Sequence, residues 1–353
     1  MMKAGIVGGG VMGRLLAFAL VNAGWHVTLF DKDDNQTCSM VAAGLLTPIA
    51  ELEQAPLLIY QLGIESLIQH WPAILEHLPE PIYFQQNGSL LLTHSRDKTE
   101  LSRFLQVISN KIKHPEVYTQ LTRSDIQVLE PDLTHFDQGV FFKDEGQIDN
   151  QSLLPNLKNY LISKNVHWVN RIVQDVQPHK IILSDSSMAF DTVFDCRGLG
   201  GHSSFAEVRG IRGELIWLYH SAIQIKHPIR LLHPRYKLYL SPRPNDIYIL
   251  GASEIESADS SPISVRTLLE LLSAVYYLHP SFTEARVIKT MTHCRPTLIN
   301  HLPKIKFKTG LVAINGLYRH GFLIAPALAN DVMRYLTQGI SSIHFPDIWE
   351  AFA

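Results

Sequence analysis

The chain has 353 residues, 46% of them hydrophobic and 18% charged, with a formal net charge of −2. That length allows two domains with substantial cores, and a charge balance without basic clusters or charged tails argues against nucleic acid or an anionic membrane as partner. Three cysteines far apart in the chain (Cys38, Cys196, Cys294) suggest a reducing compartment, the cytoplasm, rather than a disulfide framework.

Residues 3–31 read as strand, tight glycine turn, helix and strand. Gly8, Gly10 and Gly13 fill the three glycines of GxGxxG. The first allows the turn, the second lets a pyrophosphate approach the backbone, and the third lets the helix press onto the strand. The helix start then offers N–H groups and a partial positive charge to phosphates. Asp31 ends the second strand, where a carboxylate can accept ribose hydroxyls. The motif predicts a dinucleotide site and leaves NAD and FAD open. The apolar run 11–25 lacks the charged leader of a signal peptide, and no other segment approaches the ~20 apolar residues of a membrane span. Seventeen histidines are scattered without HxxxH or CxxC spacing, so no metal site is expected.

Beyond a polar loop at 32–37, small residues crowd positions 38–46, as where backbone passes close to a ligand. Residues 55–78 have helical spacing with a break expected at Pro72. Residues 82–93 alternate around Asn87-Gly88, a hairpin signal. Helices are predicted over 95–113, 124–129 and 151–164, and strands near 168–176, 180–183 and 192–196. The last runs into a second glycine turn, Arg197-Gly198-Leu199-Gly200-Gly201. From 211 to 251 the texture becomes successive strands (213–219, 237–241, 247–251). A helix over 265–278, a strand over 312–315 and a final helix over 323–336, with Pro326 in its first turn, complete the pattern. The α/β texture at the start, middle and end encloses antiparallel β texture, which implies a discontinuous first domain. The expected class is α/β, or α+β overall.

Four separated stretches carry a family resemblance: Gly8 to Asp31; Cys38-Ser39 with Ala43-Gly44-Leu45; Leu238-Tyr239-Leu240-Ser241-Pro242-Arg243; and Cys294-Arg295-Pro296 with Asn315-Gly316-Leu317-Tyr318-Arg319-His320-Gly321-Phe322-Leu323. Together they resemble the D-amino-acid oxidase superfamily of FAD-dependent oxidoreductases and, within it, the glycine oxidases of thiamine biosynthesis. The resemblance implies a discontinuous Rossmann-like FAD-binding domain (1–80, 139–210, 296–353) and an antiparallel-sheet substrate domain (81–138, 211–295). It also implies non-covalent FAD. Val11 and Met12 would lie at the pyrophosphate turn, Asp31 and Lys32 at the ribose, and Cys38 and Ser39 by the phosphates. Ala43, Gly44 and Leu45 would pass the isoalloxazine, Val173 the adenine side and Gly198 the second turn. Leu317, Tyr318, Arg319, His320, Gly321, Phe322 and Leu323 would close over the flavin.

The activity implied is oxidative deamination of a small amino acid, glycine foremost, to glyoxylate, ammonia and hydrogen peroxide. A related oxidase or dehydrogenase for D-amino acids or sarcosine with another acceptor, or a flavoprotein that modifies a partner protein, are the alternatives. The cofactor carries the hard step, so no obligatory catalytic side chain is expected. The substrate carboxylate needs a fork, and Arg295 matches that position, with Tyr239 adding a hydrogen bond. The backbone carbonyl of Arg319 is placed to accept from the amine. Glu254 departs from the apolar residue of the glycine oxidases. It is expected to face the pocket and attract the substrate ammonium, or else to be a solvated loop carboxylate or one paired to a nearby arginine. Cys38, in place of a hydroxyl, and the 197–200 turn also depart from the pattern. Dioxygen is the expected acceptor, with a homo-oligomer left open.

Overall fold

The computed structural model describes residues 1–32, 37–234 and 237–352; most of the polar loop expected at 32–37 lies outside them. The first sheet runs in the order Trp349–Ala351, Lys304–Lys308, Leu311–Asn315, Thr192–Asp195, Lys3–Val7, His26–Asp31, His167–Asn170. Its centre is parallel, with Lys3–Val7 between Thr192–Asp195 and His26–Asp31. Central parallel strands are covered on both faces, which is why these read as continuous apolar runs. The helices Val11–Asn22, Asn150–Ser163 and Gly321–Gln338 share one core with Ile6, Leu29 and Val312. The small sheet formed by Asp175–Gln177, Lys180–Ile182 and Ser187–Ala189 contributes Ile181 to the core around Val7 and Phe30.

The second sheet has nine strands and is antiparallel except where Ser89–Thr93 meets Ile229–Leu232. The long strand Arg209–Tyr219 pairs with Arg286–Thr297 along its whole length and with Ile247–Gly251 on the other side. Ile247–Gly251 in turn pairs with Lys237–Arg243. Helix Val265–Leu278, bounded as the sequence predicts, turns Leu271, Ala274, Val275 and Leu278 into the core of this sheet. Among the described residues no helix is long and apolar enough to cross a membrane, and the three cysteines are free thiols.

Three local expectations are overturned. The signal at Asn87-Gly88 is not a hairpin. Phe84–Gln85 pairs with Gly146–Ile148, whereas Ser89–Thr93 joins the nine-stranded sheet, and Gly88 at φ +93° turns the chain from one to the other. Pro72 does not break its helix. A widened turn over Ser66–His70 runs directly into helix Trp71–Glu76, so the chain passes Pro72 without a break and the wider turn makes room for the proline ring. The final helix begins at Gly321, which puts Pro326 inside it rather than in its first turn. The Phe322 carbonyl, which proline cannot reach with an N–H, accepts instead from the buried Trp71 indole at 3.0 Å. That exchange locks the helix Trp71–Glu76 against the final helix.

The strands Ile229–Leu232 and Arg286–Thr297 were not expected from the pattern. The second carries five exposed residues at its start, so no period-2 alternation marks it.

Candidate active site

The parallel strands of the first sheet end at the glycine turn, and a cleft of ≈ 570 Å³ opens there. Gly8 adopts φ +110°, and a Cβ on it would lie 2.4 Å from the Cys196 carbonyl oxygen. A Cβ on Gly13 would come within 1.9 Å of the Gly8 carbonyl oxygen. Backbone therefore presses on backbone, and only hydrogen fits at these positions. Ser39 Oγ accepts from the Val11 N–H at 3.0 Å, which ties the loop after the second strand to the helix start. The Asp31 carboxylate accepts from the Gly9 N–H while still lining the cleft. It thus braces the turn as well as facing the position a ribose would take.

A second cleft of ≈ 370 Å³ continues from the first, the two sharing Val11, Cys38, Ser39, Tyr318 and Gly321. Along it pass Ala43, Gly44 and Leu45. Gly44 has φ +62°, and its Cβ would sit 1.9 Å from the Ile148 carbonyl oxygen. Arg243, buried, donates to the Ile148 carbonyl at 3.0 Å, to the Ala43 carbonyl and to Gln147 Oε1 at 2.6 Å. Burial pulls its pKa down to about 10. Arg243 thus clamps the 43–45 segment to the second sheet, a role the sequence reading did not assign.

The far end of this cleft is polar. Tyr239 lies with its hydroxyl against Gly251, whose absent side chain leaves it room, and burial pushes its pKa up to about 12. The Arg295 guanidinium lies over Gly213, a Cβ on which would be 2.3 Å from Nη2, and Nη1 donates to the Ser253 carbonyl at 3.1 Å. Among the described residues no carboxylate is paired with Arg295. Arg319 is the opposite case. Its Nε donates to Glu51 Oε2 at 2.8 Å, and Nη1 donates to Glu254 Oε1 and to Gln54 Oε1 at 3.1 Å. Burial would lower its pKa, but Glu51 and Glu254 outweigh that and raise it. Glu51, against its own burial, is held below the usual carboxylate range by Arg319 and by the His320 imidazole at 3.0 Å. Tyr318, at φ +53°, donates its hydroxyl to Glu254 at 3.0 Å.

The structure therefore gathers the positions singled out in the sequence into one continuous groove. Gly8, Gly10, Val11, Met12, Asp31, Lys32, Cys38, Ser39, Val173, Gly198, Leu317, Tyr318 and Gly321 line the first arm. Ala43, Gly44, Leu45, Tyr239, Glu254, Arg295, Arg319, His320, Phe322 and Leu323 line the second. Gly13 lines neither and packs beneath the turn. Glu254 lines the groove and pairs with Arg319, the arginine-partner setting among those expected, and is not a solvated loop carboxylate. Glu51 was missed. Its only sequence signal is an acid just after Thr47-Pro48, which reads as an ordinary helix start and names no partner.

A glycine turn packed backbone on backbone, joined by a groove to a polar pocket, is the architecture of a dinucleotide-dependent oxidoreductase. The chain belongs to the DAO family of FAD-dependent oxidoreductases, whose family model matches residues 3–334. It is 34% identical over 338 residues to a Rhizobium etli protein named for the thiamine biosynthesis oxidoreductase ThiO, covering 95% of this chain and 96% of that one. Its fold is similar to those of glycine oxidase from Geobacillus kaustophilus (TM-score 0.85, 20% identity, 99% and 98% of the two chains) and iminodiacetate oxidase from Chelativorans sp. BNC1 (TM-score 0.86, 19% identity, 99% of each).

The three thiols bear on how FAD is held. Burial pushes Cys38 up to about 11 and raises Cys196 and Cys294 as well, so none of them offers a thiolate at neutral pH. Acid precipitation of the purified protein is expected to release all the yellow colour to the supernatant; flavin left in the pellet would show a covalent link.

Proposed function

We propose that the protein oxidises a small α-amino acid, glycine foremost, to the imine, which water hydrolyses to glyoxylate and ammonia, with dioxygen reduced to hydrogen peroxide. The observation that carries this reading is Arg295, a half-buried guanidinium that lines the groove and has no paired carboxylate among the described residues. A substrate carboxylate completes it. The name of the Rhizobium etli relative and the presence of glycine oxidases among similar folds support the same choice.

The residues present fit FAD, because Gly8 and Gly44 line the groove as bare backbone held against the Cys196 and Ile148 carbonyls, and Gly13 lets the helix start pack beneath the turn. Gly8 to Met12 and Ser39 would hold the pyrophosphate, Asp31 and Lys32 the ribose, Val173 the adenine side, and Ala43 to Leu45 with Leu317 to Leu323 the ring system. When bound, FAD accepts the hydrogen and electron pair of the substrate Cα–H bond. The chain's own task is to orient that bond. Arg295 forks the carboxylate, and Tyr239, kept protonated by its raised pKa, donates a second hydrogen bond. The Arg319 backbone carbonyl accepts from the amine. Neither Glu51 nor Glu254 is poised as a base, since Arg319 pairs with both and lowers both pKa values against the effect of burial. The substrate therefore reacts as the fraction whose amine is already neutral, and the rate rises with pH.

A panel of glycine, sarcosine and D-amino acids tests the reading, with anaerobic bleaching of the flavin and aerobic peroxide release as readouts. Glycine is expected to give both; bleaching without peroxide would point to another acceptor, and no bleaching by any member would overturn the reading. Tyr239→Phe removes one hydrogen bond and is expected to cost about 1–2 kcal/mol, roughly a tenfold loss in kcat/KM. Steady-state kinetics on glycine checks it.

A further inference from the structure

We infer that Glu254 and Glu51, by neutralising Arg319, limit the site to amino acids with a single carboxylate. This rests on the proposed role of Arg295 as the carboxylate anchor. Among the described residues four arginines line the substrate arm of the groove: Arg103, Arg230, Arg295 and Arg319. Three are already countered. Arg103 pairs with Glu53 at 2.6 Å and with Glu100 at 3.2 Å, Arg230 pairs with Glu53, and Arg319 is bracketed by Glu51 and Glu254. The remaining donors beside Arg319 are spent on the same two acids, the Tyr318 hydroxyl on Glu254 and the His320 imidazole on Glu51.

A monocarboxylate thus meets one open fork. A dicarboxylic amine, with a second carboxylate beyond its nitrogen, meets an arginine that already holds two anions, and must either displace one of them or lie beside both. Repulsion of this kind selects as effectively as a new attraction. The Arg319 and Glu254 side chains are 22% and 27% exposed, so solvent tempers the effect without removing it. At a separation near 8 Å and an effective dielectric near 20, one charge changes binding by about tenfold or more.

The test titrates the holoenzyme with two acids that lack an oxidisable amine, glycolate and diglycolate, and follows the flavin absorbance. The wild type is expected to bind glycolate at least about tenfold tighter than diglycolate. Glu254→Gln keeps an acceptor for Tyr318 while removing one negative charge. It is expected to shrink that preference by about tenfold, and Glu254→Asp to retain it. Should Glu254→Gln lose its FAD, Glu51→Gln reads the same ratio. Equal binding of both acids by the wild type, or a ratio unmoved in the charge-removing variant, overturns the inference and leaves the Arg295 anchor standing. A wild type perturbed by neither acid overturns the anchor and the inference together.

Discussion

Arg295→Ala is expected to lower kcat/KM for glycine by roughly two to four orders of magnitude while FAD content stays that of the wild type. Breaking a charge-assisted pair in a desolvated pocket costs about 3–5 kcal/mol, because the substrate carboxylate is left without its partner. The cost falls on the substrate alone. Among the described residues Arg295 makes one side-chain donation to the protein, to the Ser253 carbonyl at 3.1 Å, and its guanidinium lies over Gly213 in the second cleft, not over the glycine turn. Arg295→Lys retains the charge without the fork and is expected to recover only part of the loss. Anaerobic flavin reduction by glycine measures the effect directly; wild-type reduction by Arg295→Ala would move the carboxylate site elsewhere and remove the support for a glycine substrate.

Gly13→Ala is expected to yield protein without FAD. The added Cβ would stand 1.9 Å from the Gly8 carbonyl oxygen and 3.1 Å from its carbon, both backbone atoms of the turn itself. No side chain can swing aside, so the turn must open or the helix must lift from the sheet. Either movement dismantles the turn and helix start against which a pyrophosphate would lie. The ratio of flavin to protein absorbance after purification, together with the melting temperature, checks this. Gly24→Ala is the control. Gly24 adopts φ +82° with nothing within 4 Å of a Cβ, so alanine there meets backbone strain alone, about 1–2 kcal/mol, and FAD should be kept. Wild-type flavin content in Gly13→Ala would show that the turn tolerates a side chain and that close packing is not what shapes it.

Local chemistry made the nucleotide end of this protein readable before any fold was known. The turn from Gly8 to Gly13 is written in consecutive residues, since a tight turn, a close backbone approach and a helix start each demand a residue type at a fixed offset. Helix Val265–Leu278 is equally local, its buried face repeating with the helical period and Ser264 accepting from the Thr267 N–H to cap it. Tyr239 and Arg295 were found through short motifs, not through periodicity, and two strands of one sheet, separated by Arg209–Tyr219 and Ile247–Gly251, bring them into one groove. What depends on partners distant in sequence was not legible. Glu51 reads as a helix-start acid until the fold sets it against Arg319, 268 residues away. Glu254 carries two compatible readings, a charge for the substrate or a partner for an arginine, and only the placement of Arg319 chooses between them. Pro326 reads as a first-turn proline because nothing local records that Trp71 supplies the hydrogen bond its ring forgoes. Periodicity and turn chemistry report a residue's neighbours along the chain, whereas charge pairing is settled by whichever side chain the packed sheets bring within reach; the sequence by itself therefore determined the cofactor turn, and the tertiary structure decided which arginine of the groove, among the described residues, was left without a carboxylate.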